Sequence, residues 1–229
     1  MVEVIVIVEG FTEEAFVKQL IAPALRTSQI FIKPVLLNTS RDAKGGAVTF
    51  DRLKLHARNY LRQHPPVVIT TMLDLYRLPN NFPGFSAAKE KPDIYQRVQA
   101  LEVELHQAIV AHVGCRPERF LPHIQPYEFE GLLFSDVVEL CNTESAWSSS
   151  LAALQKVRQS AESPEHINDS FETKPSNRLA NLLHHPGYKK TLHGPRAAER
   201  ITLAVMEREC VHFGSWMKRL RELPATPRP

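Results

Sequence analysis

Cysteine is scarce in this 229-residue chain. Only Cys115, Cys141 and Cys210 occur, an odd number set far apart. That argues against a disulfide framework and for a reducing compartment. Ten histidines are present, yet no CxxC or HxxxH spacing occurs, so a zinc site has little to rest on. No apolar run approaches the roughly 20 residues that a membrane helix needs. The first residues do not resemble a signal peptide, because Glu3 and Glu9 bracket the apolar run and no basic segment precedes it. A cytoplasmic protein without a membrane partner is expected. There is no GxxxxGK[ST]; Lys44-Gly45-Gly46 has the elements in reverse order, so the chain has no phosphate loop of its own. Internal repeats and low-complexity tracts are also absent.

What is present is a series of apolar strands that end in acids. Val2 to Val8 is mostly Val and Ile with no polar face, the pattern of a strand buried on both sides. It runs into Glu9-Gly10, where glycine permits a tight turn, and then Thr12-Glu13-Glu14. Thr12 is expected to cap a helix, with the two glutamates in its favoured first turn. Glu9 then stands at the strand tip, where ligands bind in open parallel sheets. Val67 to Leu73 repeats the pattern and ends in Asp74, and Phe120 to Tyr127 delivers Glu128-Phe129-Glu130. Two prolines in this third run imply an edge strand. An extended backbone would put Glu128 and Glu130 on one face; a helix opening at Glu128 would make them diverge.

Between the strands lie helical patterns. Thr12 to Leu25 is one, kinked or cut short by Pro23. After a second β-rich run, Ile30 to Leu37, comes a polar loop, Asn38 to Gly46, and a helix from Val48 to Gln63 that Pro65-Pro66 stops. Leu78 to Phe85 is a rigid loop whose Phe82 and Phe85 are expected to pack. Pro92 to Val113 carries a stripe of Ile94, Val98, Leu101, Leu105 and Ile109, closed by Gly114. Strands alternating with such helices predict an α/β fold, a parallel sheet flanked by helices with right-handed crossovers and a helical C-terminal part. The expected division is 1–142 for the α/β domain and 143–229 for a basic helical region packed on it, fraying from Pro224. From Lys174 to Pro229, 11 Lys and Arg face 4 Glu; residues 1–173 hold 17 basic against 21 acidic residues. An acidic front and a basic tail suit a site that binds cations and meets a polyanion.

Carboxylates gathered at one sheet edge repel one another, and a divalent cation removes that cost. Oxygen-only ligands favour Mg²⁺, Mn²⁺ or Ca²⁺ over zinc, and Mg²⁺ held by a few carboxylates commonly serves phosphate chemistry. Glu9, Glu13, Asp74, Glu128 and Glu130 are the candidate ligands.

A strand ending in EGFTEE, a later strand ending in aspartate and a late acidic pair resemble the Toprim fold of topoisomerases, primases and OLD-type nucleases. The chain is most similar to a small prokaryotic Toprim-like family with an EGxTE opening, D-x-Y-x-L-P, EFE, P-S-x-R-L and a basic C-terminal helix. Here these are Glu9 to Glu13, Asp74 to Pro79, Glu128 to Glu130, Pro175 to Leu179 and the region from Lys189 to Leu220. That resemblance spans nearly the whole chain; the likeness to Toprim proteins at large covers about the first 135 residues. It implies a Toprim-like (Rossmann-like) sheet and a nuclease with Mg²⁺ or Mn²⁺ as cofactor. Glu9 matches the Toprim glutamate, and Asp74 the first aspartate of DxD. Tyr76 replaces the second aspartate, so Glu128 or Glu130 has to supply an oxygen or metal binding is weak. Glu13 matches a glutamate used for a second metal. Lys189 or Lys190 matches a lysine near the scissile phosphate, and the sequence does not choose between them. With Lys174, Ser176, Arg178 and Arg196 they are the candidate nucleic-acid contacts, DNA ahead of RNA. OLD-type enzymes join this domain to an ABC-class ATPase. The resemblance therefore implies a separately encoded ABC-class or AAA-like ATPase partner and an effector role in two-component defence against phage or plasmids. The alternatives are a non-catalytic module docking on such an ATPase, and a phosphohydrolase or phosphotransferase acting on small nucleotides.

Overall fold

The computed structural model describes residues 1–37, 48–63, 67–168, 170 and 172–224. The Asn38–Gly46 loop, the Pro65-Pro66 stop and the chain after Pro224 lie outside them. The described chain divides into two compact units, residues 1–125 with 220–229, and residues 126–219.

In the first unit β1 (Val2–Val8) and β3 (Val68–Asp74) form the centre of a parallel sheet ordered β2-β1-β3-β4, where β2 is Ile30–Leu36 and β4 is Phe120–Leu121. Val4, Ile5, Val6, Ile7 and Val8 are all fully buried. Since successive side chains point to opposite faces, the sheet is covered on both. This is the α/β, Rossmann-like architecture that the strand-and-helix alternation implies. Pro34 pairs with Val6 from β2, which runs along one edge of the sheet, the position where a strand tolerates proline. Pro122 and His123 interrupt the last run, leaving β4 and a second two-residue strand, β5 (Ile124–Gln125), both parallel to β3. Gln125 pairs with Asp74.

The first helix begins one residue before its predicted cap. Gly10, in extended conformation, is the N-cap of α1 (Phe11–Phe16), and Thr12 is buried inside the helix. Pro23 does not end it. The chain widens into a π turn at Val17–Ile21, with the Ala22 N–H donating to the Val17 carbonyl, and continues as α2 (Ala22–Arg26). Proline lacks an N–H and its ring collides with the carbonyl four residues back; the wider turn relieves both problems. Next come α3 (Phe50–Gln63), the short α4 (Phe85–Lys89) and α5 (Ile94–Val113). The Asp93 side chain caps α5 by accepting from the Gln96 N–H, and Gly114 closes it at φ +69. The predicted stripe from Ile94 to Ile109 is buried throughout. Phe82 is buried edge-on to Phe50, while Phe85 stays half-exposed.

The second unit starts at Pro126, well before the expected boundary at residue 143. The reason is packing. Phe129–Ser135 forms a 3-10 helix whose Phe129, Leu132, Leu133 and Phe134 are fully buried, and it packs on α9 (Lys190–Ile201) and on the 3-10 turn Pro164–His166. The other helices of this unit are α6 (Val137–Cys141), α7 (Leu151–Gln159), α8 (Pro175–Leu182), α10 (Leu203–Glu209) and α11 (Val211–Arg221) up to Arg219. α9 and α10 are separated at Thr202, which takes a positive φ of 74. Gly214 lets α11 approach α10 closely: a Cβ there would lie 2.4 Å from the Glu207 carbonyl oxygen. No helix among the described residues is long and apolar enough to cross a membrane.

Candidate functional site

The sheet order makes one position special. The chain leaves β1 for β2 in one direction and then crosses back past β1 to β3, so the winding reverses between β1 and β3. In doubly wound sheets this reversal opens the crevice in which ligands bind. Glu9 follows β1 and Asp74 ends β3, so the two acids stand on either side of it. Glu9 Oε1 accepts a 2.6 Å hydrogen bond from the Asp74 N–H. Glu9 Oε2 lies 3.5 Å from Nε of Arg77, whose side chain is 63% exposed while that of Glu9 is 8% exposed. Asp74 is buried as well. Glu13, one turn into α1, folds back toward the same strand end: a Cβ on Gly10 would meet Glu13 Oε2 at 3.0 Å. Tyr76, two residues after Asp74, is on the 3-10 turn Leu75–Arg77 and is 38% exposed.

Glu9, Glu13 and Asp74 offer oxygen donors only, although their ligand oxygens do not all lie within 4.8 Å of one another. Mg²⁺ or Mn²⁺ matches such donors, since Mg²⁺ commonly binds through one or two carboxylates and keeps several waters. A residue of this unit that sequence reasoning missed is Glu102. It is buried on α5, accepts from the Ile124 N–H at 2.8 Å and stands 3.7 Å from Nδ1 of the buried His123. Its place inside an otherwise amphipathic helix left no signal.

The second unit holds a different constellation. Glu128 is the N-cap of the Phe129–Ser135 helix, and Glu130 lies in its first turn. The helical alternative is therefore the one realised, yet the two side chains do not diverge. Both meet the Lys190 ammonium, which is 2.9 Å from Glu130 Oε2 and 3.8 Å from Glu128 Oε1. Lys174 donates to Glu128 Oε1 at 2.9 Å, and the Ser176 N–H donates to Glu128 Oε2 at 2.9 Å. Glu128 therefore caps α8 from a distance, and both its oxygens are engaged. Burial opposes its ionisation, but the Lys190 charge and the hydrogen bonds from Ser176 and Lys174 outweigh that and hold its carboxyl below the ordinary range. This corrects the expectation that Glu128 offers a metal an open oxygen: its partners are two ammonium groups and a helix N-terminus.

The remaining candidates separate clearly. Lys189 is exposed, and its backbone N–H donates to Nδ1 of His193; Lys190 is the lysine that faces the acids. Arg178 donates through Nε to the Thr173 carbonyl at 2.6 Å. Arg196 is 59% exposed, 3.7 Å from Glu144. Lys174 and Ser176 are held by Glu128, so of the basic candidates Lys189 and Arg196 present the most open side chains. Two buried groups in this unit were also missed. Glu165 accepts from the His212 and Phe213 N–H groups and so caps α11. His193 sits four residues after Lys189, a helical spacing that is readable in the sequence.

No curated protein and no solved structure matches the chain. Residues 8–221 match one family, which takes in Glu9, Asp74, Glu128, Lys174 and Lys190 alike. The chain belongs to the family described as "Domain of unknown function (DUF4276)".

Proposed function

We propose that this protein is a metal-dependent nuclease that hydrolyses phosphodiester bonds of nucleic acid, with Mg²⁺ or Mn²⁺ at the β1/β3 crevice. One observation carries the reading: the buried side chains of Glu9 and Asp74 stand at adjacent strand tips at the winding reversal of a parallel sheet, where the Asp74 backbone N–H donates to Glu9 Oε1. Burying two acids side by side is costly unless a cation is gained there. Glu9 and Asp74 would hold that cation, with Glu13 the nearest further carboxylate. The cation would supply polarisation of the phosphorus centre and an activated water. The chain's own residues do the rest. Arg77, exposed and 3.5 Å from Glu9, is free to turn outward and meet a phosphate. The basic excess after Lys174, with Lys189 and Arg196 exposed, offers a polyanion its electrostatic footprint. DNA is the favoured substrate. The Toprim resemblance and the missing phosphate loop extend the reading to an effector that works with a separately encoded ABC-class or AAA-like ATPase in anti-phage or anti-plasmid defence.

A second reading has its own support. Tyr76 in place of an acid, and Lys174 and Lys190 bound to glutamates, favour a non-catalytic module that docks on such an ATPase. The test is incubation of supercoiled plasmid and a labelled RNA with the purified protein in Mg²⁺, Mn²⁺ and EDTA, beside Glu9→Gln and Asp74→Asn. Glutamine keeps the oxygen that accepts from the Asp74 N–H and removes only the charge. Cleavage that requires metal and is lost in both variants supports the nuclease; no cleavage with either metal, even with the ATPase added, leaves the docking module.

A further inference from the structure

His193 is 1% exposed, against the rings of Trp147 at 4.9 Å and Tyr188 at 6.0 Å. Its Nδ1 accepts the backbone N–H of Lys189 at 2.8 Å, while its own N–H donates to the Lys189 carbonyl at 2.8 Å. Lys189 is the N-cap of α9. The imidazole reaches back to the N-cap N–H as the carboxylate of a capping box does, and the second bond is the helix's own first backbone bond, since the Lys189 side chain makes no cap bond. A ring nitrogen that accepts an amide proton carries none of its own, so the proton of neutral His193 is on Nε2, which stands 3.6 Å from Glu144 Oε1. The residue placed by this cap is Lys190, first in α9, whose ammonium meets Glu130 and Glu128. Its position there runs against the helix dipole, which disfavours a cation at an N-terminus. The backbone bonds of the cap hold it in place.

We propose that His193 is the positioning residue for Lys190. In its Nε2–H tautomer it fixes the Lys189–Lys190 backbone and so sets the ammonium against Glu130. Protonation of Nδ1 replaces the acceptor with a donor, opens the cap and frees Lys190. The groups facing the ring are Glu144, Arg196, Lys189 and the Tyr188 ring; Glu130 and Glu139, on the other elements packed on α9, bind Lys190 and Arg200. Burial pushes the imidazole below its ordinary value, Glu144 opposes this, and the Arg196 and Lys189 charges add to the lowering. A folded-state value below the unfolded one means that the neutral form prevails at neutral pH. The cap's stability is present above the ordinary value of 6.5 and is lost as pH falls below it.

Any effect on catalysis rests on the nuclease reading, but the test does not use nucleic acid, so the two fail separately. The imidazole nitrogens of the full chain are titrated by ¹⁵N NMR, together with the hydrogen-exchange protection of the Lys189 amide and the order parameter of Lys190 Cε. At about pH 8 we expect an unprotonated Nδ1. On acidification the Lys189 protection falls by about tenfold and the Lys190 order parameter drops, both with the midpoint of the imidazole. His193→Asn, whose Oδ1 replaces Nδ1 as acceptor, keeps the protection and loses the midpoint. Lys189 protection that does not change through the imidazole titration, or a proton on Nδ1 at high pH, overturns the proposal without any variant having to fold.

Discussion

The protein contains two pairs of buried acids that look alike in sequence and are built differently. Glu9 and Asp74 meet at the tips of adjacent parallel strands, where Glu9 faces a mostly exposed arginine at 3.5 Å. Glu128 and Glu130 open a helix, where Lys174 and Lys190 each come to 2.9 Å of a carboxylate oxygen. In the second pair the positive charge is supplied from within the chain, two ammonium groups for two carboxylates. In the first, a backbone N–H and a mostly exposed arginine stand against Glu9. A count of acidic residues would treat the pairs as one site. The partners show that one is a structural clasp and the other a candidate ligand set.

The largest expected effect separates their functions. Glu9→Gln and Asp74→Asn should each lower metal-dependent cleavage by about 100-fold or more while changing melting temperature little, since the charge removed is the one that would bind the cation. Next is the clasp. Glu128→Ala strands Lys174 and the Ser176 N–H, and should cost about 3 kcal/mol in urea unfolding, at the lower end for a broken buried pair because Lys190 is half-exposed. The same carboxyl gives a pH signature. Its value in the folded protein lies below its ordinary 4.5, so its contribution is complete above that pH and disappears as pH falls through the folded value. Glu128→Gln should flatten the acid limb of the stability curve; an unchanged limb would mean that another group produces it. A steric lesion in the same unit makes a control: Gly214→Ala, which drives a methyl into the Glu207 carbonyl, should cost about 2 kcal/mol with no change in that limb. Smallest is the thiol of Cys210. Burial first, and then the nearby Glu165 charge, pushes it well above the usual thiol range, so it should stay unmodified by a thiol reagent in the native protein while the half-buried Cys115 reacts.

The sheet and its acidic tips were legible because both central strands are uninterrupted apolar runs, a pattern that only burial on two faces explains. The α5 stripe was legible for the same reason: its period is that of the helix. The π turn at Val17–Ile21 was not, because Pro23 signals trouble for a helix without saying whether the chain stops or widens. The clasp was half legible. Its residues could be named from their motifs, but Lys174 and Lys190 lie 46 and 60 positions from the glutamates they bind, and only folding reveals such pairings. The roles of Glu165 and Glu102 left no trace, since each caps a backbone segment remote in sequence.

The most direct test of the difference between the two acid pairs is a Mn²⁺ titration followed by electron paramagnetic resonance, on the wild type beside Glu9→Gln, Asp74→Asn and Glu128→Gln. The account predicts that the wild type binds Mn²⁺, that each strand-tip variant weakens binding by about tenfold or more, and that Glu128→Gln binds as the wild type does. Binding that survives in both Glu9→Gln and Asp74→Asn but is lost in Glu128→Gln would contradict it, and would place the cation in the clasp.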